Sequence, residues 1–188
     1  MKADRRRQLV DAATRLIAER GFLGVRLEDL GASAGISGPA VYRHFPNKDA
    51  VLVELLVGSS TRLLEGASLV VDEATSADAA LDGLVDFHLD FALGEPDLIR
   101  IQDRDLESLP AQARREVRQK QRLYVENWVR VLLDIDPEID ESDARTKAHA
   151  IFGLINSTPH SADPATPSRT RTVLRDMAMA CLRPPRNT

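Results

Sequence analysis

Apolar residues recur along this chain at intervals of three and four, and no stretch alternates with period two. That pattern predicts helices joined by loops, with no strands. A first helix is expected from Asp4 to Arg20, with Leu9, Ala13, Leu16 and Ile17 on one face, Asp4 as N-cap and Gly21 as its stop. A second segment, Leu27 to Ala34, ends at Gly35. A third, Ser37 to Phe45, opens on Ser37 as a cap and carries Pro39 in its first turn, where the ring is tolerated. Asn47 is placed to cap a fourth helix running towards Leu64.

The remaining pattern predicts five more helices. One runs from Ser76 to Leu93, with Leu81, Leu84, Val85, Phe91 and Ala92 near one face, until Gly94-Glu95-Pro96 breaks it. A shorter one passes through Leu98, Ile101 and Leu106. The longest spans Ala111 to Ile135 on the repeat Val117, Gln121, Tyr124, Trp128, Leu132 and Ile135. Asp140 to Ser157 follows, with Ala144, Ala148, Ile151, Phe152 and Ile155 as its stripe. Ser168 to Leu182 comes last, with Val173, Leu174, Met177, Ala178 and Cys181 expected inward. Residues 158–168 read as a loop, and the tail from Arg183 as frayed. The expected fold class is all-α, with about nine helices by this pattern.

Two short helices joined by a tight turn containing Gly35 form a helix-turn-helix pattern, whose second helix can enter a DNA major groove. The formal net charge of −4 runs against nucleic-acid binding, but its distribution does not. Residues 1–50 carry nine Lys/Arg against six Asp/Glu, and residues 51–188 carry sixteen against twenty-three. A basic head on an acidic body keeps attraction for phosphate in one place. Arg5, Arg6 and Arg7 read either as an arm towards DNA or as a solvated terminus.

Other chemistry is scarce. No apolar run reaches eighteen residues, so no membrane span is expected. The single Cys181 cannot form an internal disulfide, which fits a reducing cytoplasm. Nucleophile elbow, phosphate loop, zinc motif and dinucleotide fingerprint are all missing, so no catalytic residue, metal or cofactor is expected. Asp103, Asp105 and Glu107 read as a solvated or ion-paired face.

The head resembles the TetR family of bacterial transcriptional regulators. Glu19-Arg20-Gly21-Phe22, Asp29-Leu30-Gly31, Ala34-Gly35-Ile36-Ser37 and Tyr42-Arg43-His44-Phe45-Pro46-Asn47-Lys48 match the family pattern at its spacing. Two positions depart from it. Arg26 stands where the family usually has a capping Ser or Thr, and Gly31 replaces the usual Ala.

The resemblance implies a DNA-binding domain at residues 1–48 and a ligand-binding and dimerisation domain at residues 49–188. It implies DNA contacts from Arg26, Ser37, Gly38, Pro39, Ala40, Tyr42, Arg43, His44 and Lys48. Of these, Tyr42, His44 and Lys48 would donate to phosphates, and Arg43 could read a guanine. It implies a homodimer through residues 140–157 and 168–182 on a near-palindromic operator, released by a small-molecule effector. The effector pocket is expected among Phe87, Phe91, Ile101, Gln102, Tyr124, Asn127, Trp128 and His149. Ile101-Gln102-Asp103, Gln121-Arg122 and Trp128 are similar to regulators of lipid breakdown that sense acyl-CoA thioesters. The Arg-rich stretch at 114–122 could supply cations to such a ligand. An activator of the same fold, or a helical enzyme, are the alternatives.

Overall fold

Capping side chains and helix breakers stop the helices largely where the pattern placed them. The structure is a computed structural model that describes residues 2–162 and 165–183, with backbone alone for residues 2–4. Among the described residues there are ten α-helices, one 3-10 turn and no strand. They are α1 Lys2–Arg20, α2 Leu27–Ser33, α3 Gly38–Val41, α4 Lys48–Glu73, α5 Ala77–Gly94, α6 Pro96–Asp105, the 3-10 turn Leu106–Ser108, α7 Ala111–Ile135, α8 Glu141–Ile155, α9 Thr158–Ser161 and α10 Pro167–Leu182. The tail beyond Arg183, expected to fray, lies outside the described residues, as does the Asp4 side chain. The α1 backbone already begins at Lys2, two residues before the expected cap.

Gly21 and Gly35 take φ of +80° and +64° and end α1 and α2, a conformation that costs glycine no Cβ clash. The Ser76 and Asp140 side chains accept from the N–H groups of Ala79 and Asp143, and Asn47 does the same for Ala50. Two other helix starts lack such a cap, Ser37 where one was expected and Arg26 where none was. Ser37 begins α3 without a side-chain cap bond. Arg26 begins α2 but has no acceptor to offer, so the Asp29 carboxylate reaches back to the Arg26 N–H at 2.8 Å.

Three boundaries moved. The α4 helix passes Leu64 and continues to Glu73, because Gly66, like Gly58 earlier in the helix, costs only about 1 kcal/mol. Phe87 of α5 packs so closely on Gly66 that an added Cβ would overlap its ring. In the third segment only Gly38–Val41 is α-helical. Turn-type bonds then carry the chain on, with the N–H groups of His44 and Phe45 donating to Val41 O at 2.9 and 3.0 Å. Within the expected loop at 158–168, Thr158–Ser161 forms one helical turn, tied down by Thr158 Oγ1 donating to Ala92 O at 3.0 Å.

The chain divides into two compact units, Met1–Ser60 with Asp97–Arg118, and Thr61–Pro96 with Gln119–Thr188. Helices α4 and α7 contribute residues to both. The first unit buries Leu9, Ala13 and Ile17 of α1 with Phe22, Leu30, Val41, Phe45, Leu52 and Leu56. Asp105 is also buried there, at 5% exposure. Its carboxylate accepts from the Phe22 N–H at 3.2 Å and pairs with Arg104 at 3.1 Å. Arg104 donates in turn to the carbonyls of Ile17 and Ala18, two acceptors left open at the end of α1. Asp105 is thus ion-paired as expected, but inside the unit rather than on a solvated face.

The second unit packs α5, α8 and α10 together. Asp78, Asp82, Asp86 and Asp90 recur every fourth residue on α5, and Arg171, Arg175 and Arg183 pair with them. On α10, Leu174, Ala178, Met179 and Leu182 are buried. Val173 and Met177 are half exposed, and Cys181 is exposed, so three of the five residues expected inward face out.

Candidate functional site

In the third segment a spacing of four separates Val41 and Phe45, both buried at 1% exposure or less. They seat the recognition segment on the first unit and turn its other face outward. Ser37, Pro39, Tyr42 and Arg43 are exposed, while Gly38, Ala40 and His44 are partly so. The Arg43 backbone N–H donates to Ala40 O at 3.2 Å, but its guanidinium makes no hydrogen bond or ion pair among the described residues, which leaves its five donors free. Small residues at 37–40 let a groove edge approach the backbone, and Arg43 offers the planar fork suited to a guanine.

Several of the expected contact residues are already engaged. The Tyr42 hydroxyl donates to Glu28 Oε1 at 2.7 Å. That bond holds the Glu28 carboxyl below its ordinary range, helped by its own backbone N–H, and pushes the Tyr42 phenol up. Lys48 donates through Nζ to Phe22 O at 2.8 Å and lies 4.3 Å above the Phe22 ring. The His44 carbonyl accepts from Arg6 at 2.8 Å. Arg6 also grips Glu54 of α4 through two hydrogen bonds and covers the Phe45 ring at 4.4 Å. Arg6 is therefore part of the framework that holds the recognition segment, neither a free arm nor a solvated end. Arg26 is exposed at the start of α2.

The expected pocket residues divide. Phe91, Tyr124 and Trp128 come together in the second unit around two residues outside that set, His88 and Phe152. Ring centroids lie 6.2 Å apart for His88–Phe91, 5.7 Å for His88–Tyr124 and 5.1 Å for both His88–Phe152 and Trp128–Phe152. His88 Nδ1 and the Tyr124 hydroxyl share a hydrogen bond of 2.9 Å. Burial pushes the imidazole down to about 4, with the Asn156 side chain working the other way, so His88 is neutral at pH 7. Burial also pushes the Tyr124 phenol up, with Trp128 working the other way.

Phe87 packs on Gly66, and Asn127 donates to Ser68 Oγ at 3.2 Å. His149 is exposed, with its ring 6.1 Å from that of Phe152. Ile101 and Gln102 belong to the first unit, not to this aromatic group. The signal for His88 was present: Leu81, Val85, His88 and Ala92 follow one helical stripe, and the histidine continues it. Nothing local pointed to Glu28 or Arg6, whose partners lie 14 and 48 residues away.

Among the described residues, no group of three or more His, Cys, Asp and Glu could hold a metal, and no helix is long and apolar enough to cross a membrane.

A short buried-anchor helix presenting small and basic residues, set after a glycine turn on an all-helical scaffold, defines a helix-turn-helix DNA-binding regulator. Residues 9–55 match the family model of the bacterial regulatory proteins of the tetR family, and residues 74–183 match that of the tetracyclin repressor-like C-terminal domain. The chain belongs to the TetR family of transcriptional regulators. It is 26% identical over 158 residues to the fatty acid metabolism regulator protein of Bacillus subtilis, covering 80% of this chain and 79% of that one. Its fold is similar to that of the ketosteroid transcriptional regulator KstR2 of Mycobacterium tuberculosis, with TM-score 0.82, 22% identity, and 95% and 93% of the two chains covered. It is also similar to AibR, solved with isovaleryl coenzyme A and operator DNA, with TM-score 0.78, 17% identity, and 92% and 97% covered.

Proposed function

We propose that this regulator is a homodimeric repressor that leaves a near-palindromic operator when a lipophilic effector, foremost an acyl-CoA thioester, binds its C-terminal body. In this reading residues 1–48 bind DNA and residues 49–188 bind the effector and dimerise. The observation that carries the DNA half is the recognition segment: Val41 and Phe45 buried, and Ser37, Pro39, Tyr42 and Arg43 turned out. Arg43 reads a base edge. Tyr42, His44, Lys48 and Arg26 serve the phosphates, with Tyr42 exchanging Glu28 for a phosphate oxygen.

The outward face of α8 and α10 supports the dimer. Ala150, Gly153, Val173, Met177, Ala180 and Cys181 are exposed there, an apolar surface that a second copy would cover. The names of the fatty acid metabolism regulator and of AibR's bound ligand support the thioester class, and the aromatic group around Phe91, Tyr124 and Trp128 supports an apolar effector. The effector shifts DNA affinity only by binding the DNA-incompetent conformation more tightly.

The test is selection of bound duplexes from a random pool at near-physiological salt, followed by release of the selected duplex with an acyl-CoA panel. Enrichment of one inverted repeat and its release by a thioester are expected. Enrichment without release by any thioester removes that effector class, and no enrichment removes operator recognition.

A further inference from the structure

Arg6 opens the inward stripe of α1. Spacings of three and four carry that stripe from Arg6 to Leu9, Ala13 and Ile17, so the helix turns Arg6 towards the first unit and leaves Arg5 and Arg7 exposed. The Arg6 guanidinium has three partners. Its Nε and Nη2 donate to the two carboxylate oxygens of Glu54 on α4, at 3.2 and 2.8 Å. Its Nη1 donates to the His44 carbonyl at 2.8 Å, and its central carbon lies 4.4 Å from the centre of the Phe45 ring.

Each of these contacts falls where the recognition segment needs a hold. Among the described residues no backbone N–H donates to His44 O: the turn-type bonds stop at Phe45, and Pro46 after it has no N–H to give. Phe45 is the buried anchor of the segment, and Glu54 stands within the first two turns of α4. A half-buried ion pair by itself contributes little. A guanidinium forked on a carboxylate is the exception, because it fixes direction as well as distance. One planar side chain therefore ties the end of the recognition segment to α1 and to α4.

We propose that Arg6 and Glu54 are positioning residues for operator recognition, a proposal that rests on the recognition-segment reading above. Together they lock the recognition segment and the start of α4 into one piece. Arg6 acts on the operator through His44 and Phe45, without touching DNA. Two observations set it apart from a phosphate arm. Three of its five N–H donors and one face of its plane are spent inside the unit, so a phosphate would have to displace Glu54 or the His44 carbonyl. The Glu54 carboxylate also offsets its charge where an arm would need it whole. Arg43, by contrast, keeps its guanidinium free.

The full-length protein and its variants Arg6→Ala, Arg6→Lys and Glu54→Gln are titrated, across a salt series, with the duplex selected from the random pool and with an unrelated duplex of equal length. Amide hydrogen exchange is followed in the same proteins without DNA. Arg6→Ala is expected to bind the selected duplex about tenfold more weakly at an unchanged salt slope. Arg6→Lys keeps the charge but not the fork, and should lose most of the same factor. Glu54→Gln removes a negative charge from a DNA-binding unit, so charge alone would tighten both duplexes, whereas the clamp requires the selected one to weaken by about threefold. The Arg43, His44 and Phe45 amides, bonded to Ala40 O and Val41 O, should exchange faster in all three variants, while amides in the middle of α1 keep their rates. Arg6→Lys and Glu54→Gln carry the test if Arg6→Ala does not fold.

Tighter binding of the selected duplex by Glu54→Gln overturns the clamp, as does a salt slope lower by about one in Arg6→Ala, since either makes Arg6 a phosphate contact that Glu54 restrains. Unchanged affinity in all three variants overturns it too. If selection enriches no duplex, the recognition-segment reading falls, and hydrogen exchange alone decides the clamp. Faster exchange at Arg43, His44 and Phe45 in the variants then keeps it, and unchanged exchange removes it.

Discussion

Replacing Gly31 with alanine sets two effects of opposite sign against each other. Helix propensity favours the change by about 1 kcal/mol, and alanine is also the residue that the family pattern prefers here. Packing opposes it. Gly31 is buried in α2, and a Cβ there would lie 2.5 Å from Val41 Cγ2 and 2.8 Å from the carbonyl oxygen of Ile36. Val41 could turn only by leaving its fully buried place, and the Ile36 oxygen is backbone, fixed in a turn whose N–H donates to Gly31 O at 2.8 Å. Overpacking of this kind costs about 1–3 kcal/mol, and a clash with fixed backbone belongs at its upper end, so packing wins with a net loss of up to about 2 kcal/mol. For a chain of this size that lowers Tm by about 2–4 °C per kcal/mol.

Operator affinity should fall together with Tm, because Val41 is the anchor that seats the recognition segment. The assay is denaturant or thermal unfolding beside a binding isotherm on the selected operator. Gly94→Ala serves as the control, since its Cβ would meet nothing within 4 Å. An unchanged or raised Tm for Gly31→Ala, with unchanged operator affinity, would refute the packing argument.

Three other outcomes are expected. Glu28→Gln should tighten operator binding by roughly two- to fivefold, the range of an exposed pair, because the competing carboxylate on Tyr42 is weakened. The gain should vanish in a Tyr42→Phe background, and a gain that survives there would mean simple charge repulsion from Glu28. Stability should fall as pH drops from about 6.5 towards 4: His88, held neutral at a depressed pKa of about 4, takes up its proton in the unfolded chain first. That is about 3 kcal/mol over the window, and unfolding curves of His88→Phe should lack this component. Met177→Asp, on the half-exposed face of α10, should give a monomer by light scattering and lose operator affinity. A dimer mass with intact affinity would take α10 out of the interface.

Helix placement was legible because it depends on local chemistry. Gly21 and Gly35 end α1 and α2, Gly94-Glu95-Pro96 separates α5 from α6, and Asn47, Ser76 and Asp140 cap the helices that follow them. Each acts within four residues of itself. The recognition segment was legible for the same reason, as several short motifs at fixed spacing lie within some thirty residues of one another. The sequence read less well where a helix could continue past a tolerated glycine, as α4 does at Gly66, or where a single turn forms against a distant carbonyl, as α9 does against Ala92.

By itself, then, the order of residues determined the helical class, the helix-turn-helix and the family. Periodicity, caps and breakers are short-range signals, and one chain displays them in full. Only the tertiary structure decided which side chains are free to act. Arg6 read as either a DNA arm or a solvated end until Glu54 and His44 were beside it, and Tyr42 as an open phosphate donor until Glu28 held it, while the chemistry of His88 was set only by Tyr124, Trp128 and Asn156. Their partners come from other helices, at separations that no local pattern encodes. Hydrogen bonding and desolvation are set by those neighbours, so the chemistry of each group is fixed only once the helices have packed.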